Sequence, residues 1–143
     1  MPRFTVTLVD FAQAEADIRA VRHEVFIVGQ AVPEPEEWDG LDPQCDHVLA
    51  RLDDSTPIGT ARLCDGGKIG RMAVRAPWRS AGVGSALLTA LVDLARSQGL
   101  PSVTLASQLQ AMPFYARHGF AVHGPVFLDA NIEHRQMTRR LSG

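Results

Sequence analysis

The chain has little sulfur to work with. Cys45 and Cys64 are its two cysteines in 143 residues, and they form no C-x-x-C. The expectation is reduced thiols in a cytoplasmic protein, with Cys64 a small buried hydrophobe inside a strand. No apolar run is long enough to cross a bilayer, and the opening MPRFTVTLVD alternates like a strand instead of reading as a leader. Basic charge is not in excess: the formal net charge is −2, so the footprint of nucleic-acid binding is missing. Internal repeats, linkers and low-complexity tracts are absent as well. What remains is a chain that is 45% apolar, enough to fill a core, and short enough for one domain over residues 1–143. Neither nucleic acid nor membrane is an expected partner.

What is present concentrates in Lys68–Leu88, KIGRMAVRAPWRSAGVGSALL. Ile69, Met72 and Val74 supply a strand, and Pro77 stops it. Gly82 and Gly84 then precede a run in which Ala86, Leu87, Leu91, Leu94 and Ala95 share one helical face. The first N–H groups of a helix have no internal partner, and the helix dipole adds positive charge there. Such a turn is an anion site suited to phosphate, with room at the two glycines for close approach and a fixed charge from Arg79.

Three phosphate motifs compete for the stretch. A Walker loop needs Gly-Lys-Ser/Thr, but Gly84 is followed by Ser85 and Ala86. A dinucleotide fingerprint needs a third glycine and an acid about 20 residues on. Position 87 is leucine, and no acid lies between Ser97 and Leu128. The third motif, Arg/Gln-x-x-Gly-x-Gly/Ala between a strand and a helix, fits Arg79-Ser80-Ala81-Gly82-Val83-Gly84 residue for residue. On this motif the chain resembles the GNAT superfamily of acyl-CoA-dependent N-acetyltransferases, whose corresponding loop binds the pyrophosphate of coenzyme A.

The remaining elements are read from pattern. Phe4, Val6 and Leu8 alternate as a first strand, and Asp10 and Gln13 open a helix as a capping box that runs to near Gly29. Gln30–Asp46 is a long connection, the kind that often carries function. Strands follow at His47–Asp53 and Ile58–Cys64, with Asp65-Gly66-Gly67 turning into the central strand. A helix over Gly84–Gln98 leads to a strand at Ser102–Ala106, which a helical crossover makes parallel to the central one. A short helix over Ala111–His118 comes next. Closing strands follow at Ala121–His123 and Glu133–Arg140, separated by breaks at Gly124-Pro125 and Asp129-Ala130-Asn131.

About 30 residues beyond the glycine loop, Phe114-Tyr115-Ala116-Arg117-His118-Gly119-Phe120 resembles a second signature of that superfamily. The small ElaA-like branch is matched further by Arg22-x-x-Val25-Phe26, Gln30, Asp39, Asp42, Gly59–Leu63, Gly70–Val74, Gln108 and Ile132-x-His134-x-x-Met137. Gly29 and Ser107 depart from it, standing where that branch usually has Glu and Ala. The resemblance implies an α/β (α+β) fold with a mixed, mostly antiparallel sheet of six to seven strands. Helices flank that sheet, and its central strands splay apart.

It also implies the chemistry: an acetyl group moves from acetyl-CoA, a cosubstrate, to the primary amine of a small molecule or peptide, with no metal. Met72, Ala73 and Val74 would pair with pantetheine, the Val74 N–H would meet the developing oxyanion, and Arg79, Ser80, Ala81, Gly82, Val83, Gly84 and Ser85 would hold the pyrophosphate. Phe114 is a cofactor wall or core residue. Arg117 meets the 3′-phosphate or is a solvated charge. Tyr115 is the candidate general acid, or a packing residue. The base is open among His134, His47, Glu24, Glu37 and a water chain, with His134 first because a closing strand carries it toward the acceptor end. The acids Glu34, Glu36, Glu37, Asp39, Asp42 and Asp46 either rim the acceptor mouth, favouring a cationic amine, or form a solvated loop. Cys45-Asp46-His47 lacks metal spacing. A non-catalytic acyl-CoA sensor is the rival reading, a flavin or nicotinamide binder a weaker third, and a homodimer a candidate assembly.

Overall fold

The computed structural model describes residues 3–141, and its seven strands form one sheet in the order β1-β2-β3-β4-β5-β7-β6. β1 (Phe4–Val9), β2 (Asp46–Leu52), β3 (Pro57–Cys64) and β4 (Lys68–Val74) make an antiparallel meander. β5 (Ser102–Gln108) runs parallel to β4 and antiparallel to β7 (Ile132–Arg140), and β6 (Ala121–Asp129) closes the edge. The expected fold class is therefore what the chain adopts.

α1 (Phe11–Arg22) starts where expected: the Asp10 carboxylate accepts the Gln13 N–H at 3.2 Å. It runs on into a wide π turn at His23–Val28 that ends at Gly29. The long connection holds one turn of helix, α2 (Glu34–Glu37), and a 3-10 turn at Asp42–Gln44. α3 (Val83–Ser97) and α4 (Met112–Arg117) complete the set.

Alternation along β2 assigns the layers. Leu49 packs with Ala14 and Ile18 of α1, while Val48 and Ala50 join the cluster built on Leu87, Leu88 and Leu91 of α3. Successive strand side chains face opposite ways, so α1 and α3 cover opposite faces. The close seating of α3 depends on Gly59, where a Cβ would stand 3.0 Å from Val83 and 3.2 Å from the Ala73 carbonyl oxygen.

Two expectations are corrected. Cys45 and Cys64 are joined in a disulfide, not free, and Cys64 is half-buried. Asp46 and Leu63 are cross-strand partners, so the two cysteines face each other one step further along the hairpin. Their separation of 19 residues hid this, because register and not spacing brings them together. Gly124-Pro125 is no break either. β6 continues through it as a bulge, Gly124 taking φ +77° and its carbonyl accepting two bonds from Arg135. Proline needs no N–H partner on an edge strand. The real turn is Ala130-Asn131, both at positive φ, as a two-residue hairpin requires.

Candidate active site

Parallel β4 and β5 touch at one register point, Lys68 opposite Thr104, where the Thr104 N–H reaches the Gly67 carbonyl at 2.9 Å. Beyond it they diverge. The V between them opens into a cleft of about 780 Å³, lined by β4 residues including Met72, Ala73 and Val74, by Thr104–Ala106 and Gln108 of β5, and by Ile132, His134 and Gln136 of β7.

The β4 backbone is arranged to use that gap. A bulge sets Arg71 and Met72 against Ala61 alone, with Arg71 at φ +49°, which re-aims the strand's second half. Past the strand end, the Arg75 N–H donates to Ile58 O at 2.8 Å. Donors alternate sides along an extended strand, so the N–H of Val74 points the other way, toward the gap that β5 has left.

The glycine loop follows directly. Trp78 and Arg79 donate their N–H groups back to Arg75 O and Ala76 O, and the next helical bond is Ala86 N–H to Gly82 O at 3.0 Å. Between them, Ser80 takes φ +68° and Gly82 φ +85°. Left-handed residues two apart are a pattern in which successive N–H groups turn toward one point, and with the unpaired first N–H groups of α3 the loop can serve as an anion cradle. Gly84 is not demanded by packing: a Cβ there would stand 3.4 Å from the Phe114 ring, an ordinary contact. The Arg79 side chain donates from Nε to Val74 O at 2.9 Å, tying the loop to the strand end. The Ser85 hydroxyl lies 3.0 Å from Nε2 of His118, a link to α4 that local pattern did not reveal.

Tyr115 lies on the cleft wall, its hydroxyl 3.7 Å from Sδ of Met72, a weak acceptor. Burial pushes its pKa up to about 12, so proton release is harder than an ordinary phenol would suggest. Phe114 packs edge-on against Tyr115 at 5.1 Å, behind the cleft, and Arg117 is exposed.

The candidate bases separate. His134 lines the cleft, stacked on Phe127, with Nδ1 2.7 Å from the Ile132 carbonyl. A carbonyl only accepts, so Nδ1 carries a proton, and in the neutral ring Nε2 is the nitrogen that keeps the lone pair. His47 is 1% exposed, bonded through Nε2 to Asp42 O at 2.8 Å, and burial lowers its pKa; it does not line the cleft. Glu24 pairs with Arg75 at 2.9 Å, also outside the cleft lining. Glu37 does line it but is bonded to Arg22 Nε at 2.7 Å; burial outweighs that and its pKa is raised.

The acidic loop is largely committed to structure. Arg22, itself 1% exposed, binds Glu37 and also Asp42 at 2.7 Å. Arg62 binds Asp42 at 2.8 Å and Asp39 at 2.6 Å, and Arg71 meets Asp39 at 3.3 Å. Three acids that composition offered to a cationic amine therefore face three arginines. Of the others, Glu34 accepts from Trp38 Nε1 and Asp46 from Gln98. Glu36 lines the cleft. Among the described residues no group of three His, Cys, Asp or Glu is placed to hold a metal ion, and no helix is long and apolar enough to cross a membrane.

Comparison with known proteins agrees with this architecture. The family described as acetyltransferase (GNAT) domain matches residues 11–141. An uncharacterized N-acetyltransferase of Bacillus subtilis, YjcF, is 42% identical over 123 residues, covering 83% of this chain and 87% of its own. An acyl-CoA N-acyltransferase from Pseudomonas aeruginosa superposes with a TM-score of 0.82 at 28% identity, covering 97% of this chain and 99% of its own. Escherichia coli ElaA shares the fold with a TM-score of 0.81 at 24% identity, over 97% and 99% of the two chains. The chain belongs to the GNAT acetyltransferase family.

Proposed function

We propose that this protein transfers an acetyl group from acetyl-CoA to a primary amine by direct attack within a ternary complex. The observation that carries the reading is the unpaired edge of β4: the Val74 N–H faces the gap, one loop away from the anion cradle at residues 79–85. The residues fit coenzyme A. The cradle suits a pyrophosphate, and the open edge of Met72–Val74 suits an extended amide chain lying as a further strand.

Each remaining group has a task. The neutral amine attacks the thioester carbon, and its proton moves to Nε2 of His134 as the C–N bond forms. The Val74 N–H hydrogen-bonds the oxygen on which charge develops; one such donor is worth roughly 100- to 1,000-fold in rate. The C–S bond breaks and the thiolate leaves. Tyr115, kept protonated by burial, serves best as a hydrogen-bond donor to that sulfur, because full transfer from a phenol at about 12 to a thiolate at roughly 8.5 is uphill.

Calorimetry with coenzyme A and acetyl-CoA, paired with thiol release from acetyl-CoA over a panel of small amines and peptides, tests this. Binding with amine-dependent thiol release is expected. Tight binding with no turnover on any amine would favour an acyl-CoA sensor instead, and no heat at millimolar ligand would end the reading.

A further inference from the structure

At the open end of the cleft three glutamine amides are joined head to tail. Gln110 donates from Nε2 to Oε1 of Gln108, and Gln108 donates from Nε2 to Oε1 of Gln30 at 2.9 Å. All three line the cleft, and they come from separate elements: Gln108 ends β5, Gln110 lies in the turn after it, and Gln30 follows the π turn of the first helix, 78 residues away from Gln108. Gln108 is also the direct cross-strand partner of His134. Paired residues put their side chains on the same face of a sheet, with Cβ atoms roughly 5 Å apart.

From this juxtaposition we infer that Gln108 binds the acceptor amine beside His134, and that Gln30 is a positioning residue that fixes the Gln108 amide. The inference rests on the acetyltransferase reading. A primary amine has two N–H groups and one lone pair. Direct attack directs the lone pair at the thioester carbon and gives one proton to Nε2 of His134. The second N–H then needs an acceptor, or the nucleophile rotates freely. Oε1 of Gln108 takes one bond from Gln110, and an amide oxygen has a second lone pair to offer. Gln30 acts only as an acceptor in the chain, and its grip on Nε2 keeps the Gln108 oxygen, not the nitrogen, turned toward the substrate. A neutral amide holds an uncharged amine without raising its affinity for a proton, as a carboxylate at that place would.

The acceptor role of Gln30 makes a sharp test. Gln30→Glu keeps an oxygen for Gln108, whereas Gln30→Met keeps the volume and loses the bond. With the best amine of the panel, Gln30→Met is expected to lose about tenfold or more in kcat/KM for the amine. Gln30→Glu should stay within about threefold of wild type. Acetyl-CoA affinity by calorimetry should move in neither. Gln110→Ala, at an exposed position that leaves folding alone, should show the same amine-selective loss. Equal behaviour of Gln30→Met and Gln30→Glu, or losses that follow acetyl-CoA affinity, would overturn the inference while the wild type still turns over. A wild type that transfers to no amine would remove the acetyltransferase reading itself, and this inference with it.

Discussion

Gly67 sits so close to Ser102 that a Cβ on it would stand 2.6 Å from the Ser102 carbonyl oxygen. It also holds φ +81°, and its own carbonyl accepts the Thr104 N–H at the one register point joining β4 to β5. The apex of the cleft is thus a glycine by necessity. Gly67→Ala should lose roughly 1–3 kcal/mol in urea unfolding, because both the conformation and the contact resist a methyl group. A variant within about 0.5 kcal/mol of wild type, the range of an ordinary surface substitution, would show that the apex tolerates displacement.

Arg22 should be the costliest single polar residue to remove. Arg22→Met leaves Glu37 and Asp42 without their shared buried cation, and breaking a buried pair from one side costs about 3–5 kcal/mol. Arg22→Lys should recover part of this, since an ammonium cannot fork between two carboxylates. Full stability of Arg22→Met in chemical denaturation would mean the long connection is held by other contacts.

Acid should unfold the protein in two stages. Burial, with Arg22 and Arg62 nearby, lowers the His47 pKa below its ordinary 6.5, so its contribution is complete above that value and lost as pH falls through the folded pKa. Burial opposes the Asp42 carboxylate, but Arg22 and Arg62 together prevail and lower its pKa. Asp39 is lowered chiefly by its hydrogen bond to Arg62. Their contributions are present above the ordinary 3.8 and disappear below it as each folded pKa is passed. Glu37 works the other way, its raised pKa favouring the fold below 4.5 and losing that advantage as pH rises. His47→Gln should flatten the first stage alone in a pH series of urea midpoints; an unchanged slope near pH 6 would clear His47 of the effect.

Tyr115→Phe should lower kcat by about 100-fold, leave acetyl-CoA affinity near wild type and cost little stability, since the hydroxyl touches only the Met72 sulfur. It should also remove a loss of stability between pH 10 and about 12, where the unfolded phenol ionises and the folded one does not. Unimpaired turnover would reduce Tyr115 to packing. For the proposed base, His134→Gln should lower kcat by about 100-fold and leave acetyl-CoA affinity near wild type; unimpaired turnover would remove His134 from the mechanism.

The disulfide is testable without activity. It closes a loop between residues 19 apart in sequence, for which chain entropy gives about 3 kcal/mol. Cys64→Ser should be less stable than wild type by that order under oxidising conditions and indistinguishable from it in excess dithiothreitol. Equal midpoints in both media would mean that the bond does not form in solution.

Much of the architecture was legible because its signals are local. Asp10 caps a helix, alternation marks strands, and Arg79–Gly84 announces a turn whose φ angles only certain residues adopt. Gly124-Pro125 misled for the same reason: a breaker residue reads alike at a strand's end and in an edge bulge.

The sequence alone, then, was enough for the fold class, the crossover, the glycine turn and the family, since these depend on backbone preferences and short motifs. Tertiary structure decided everything that depends on partners far apart in the chain. It set Arg22 against Asp42, Cys45 against Cys64, Gln30 against Gln108, and Gln108 beside His134. It also set three acids of the long loop against three arginines and buried two of them, Glu37 and Asp42. Charge can be counted in a sequence, but whether it is solvated or paired depends on which side chains the fold brings within hydrogen-bonding distance.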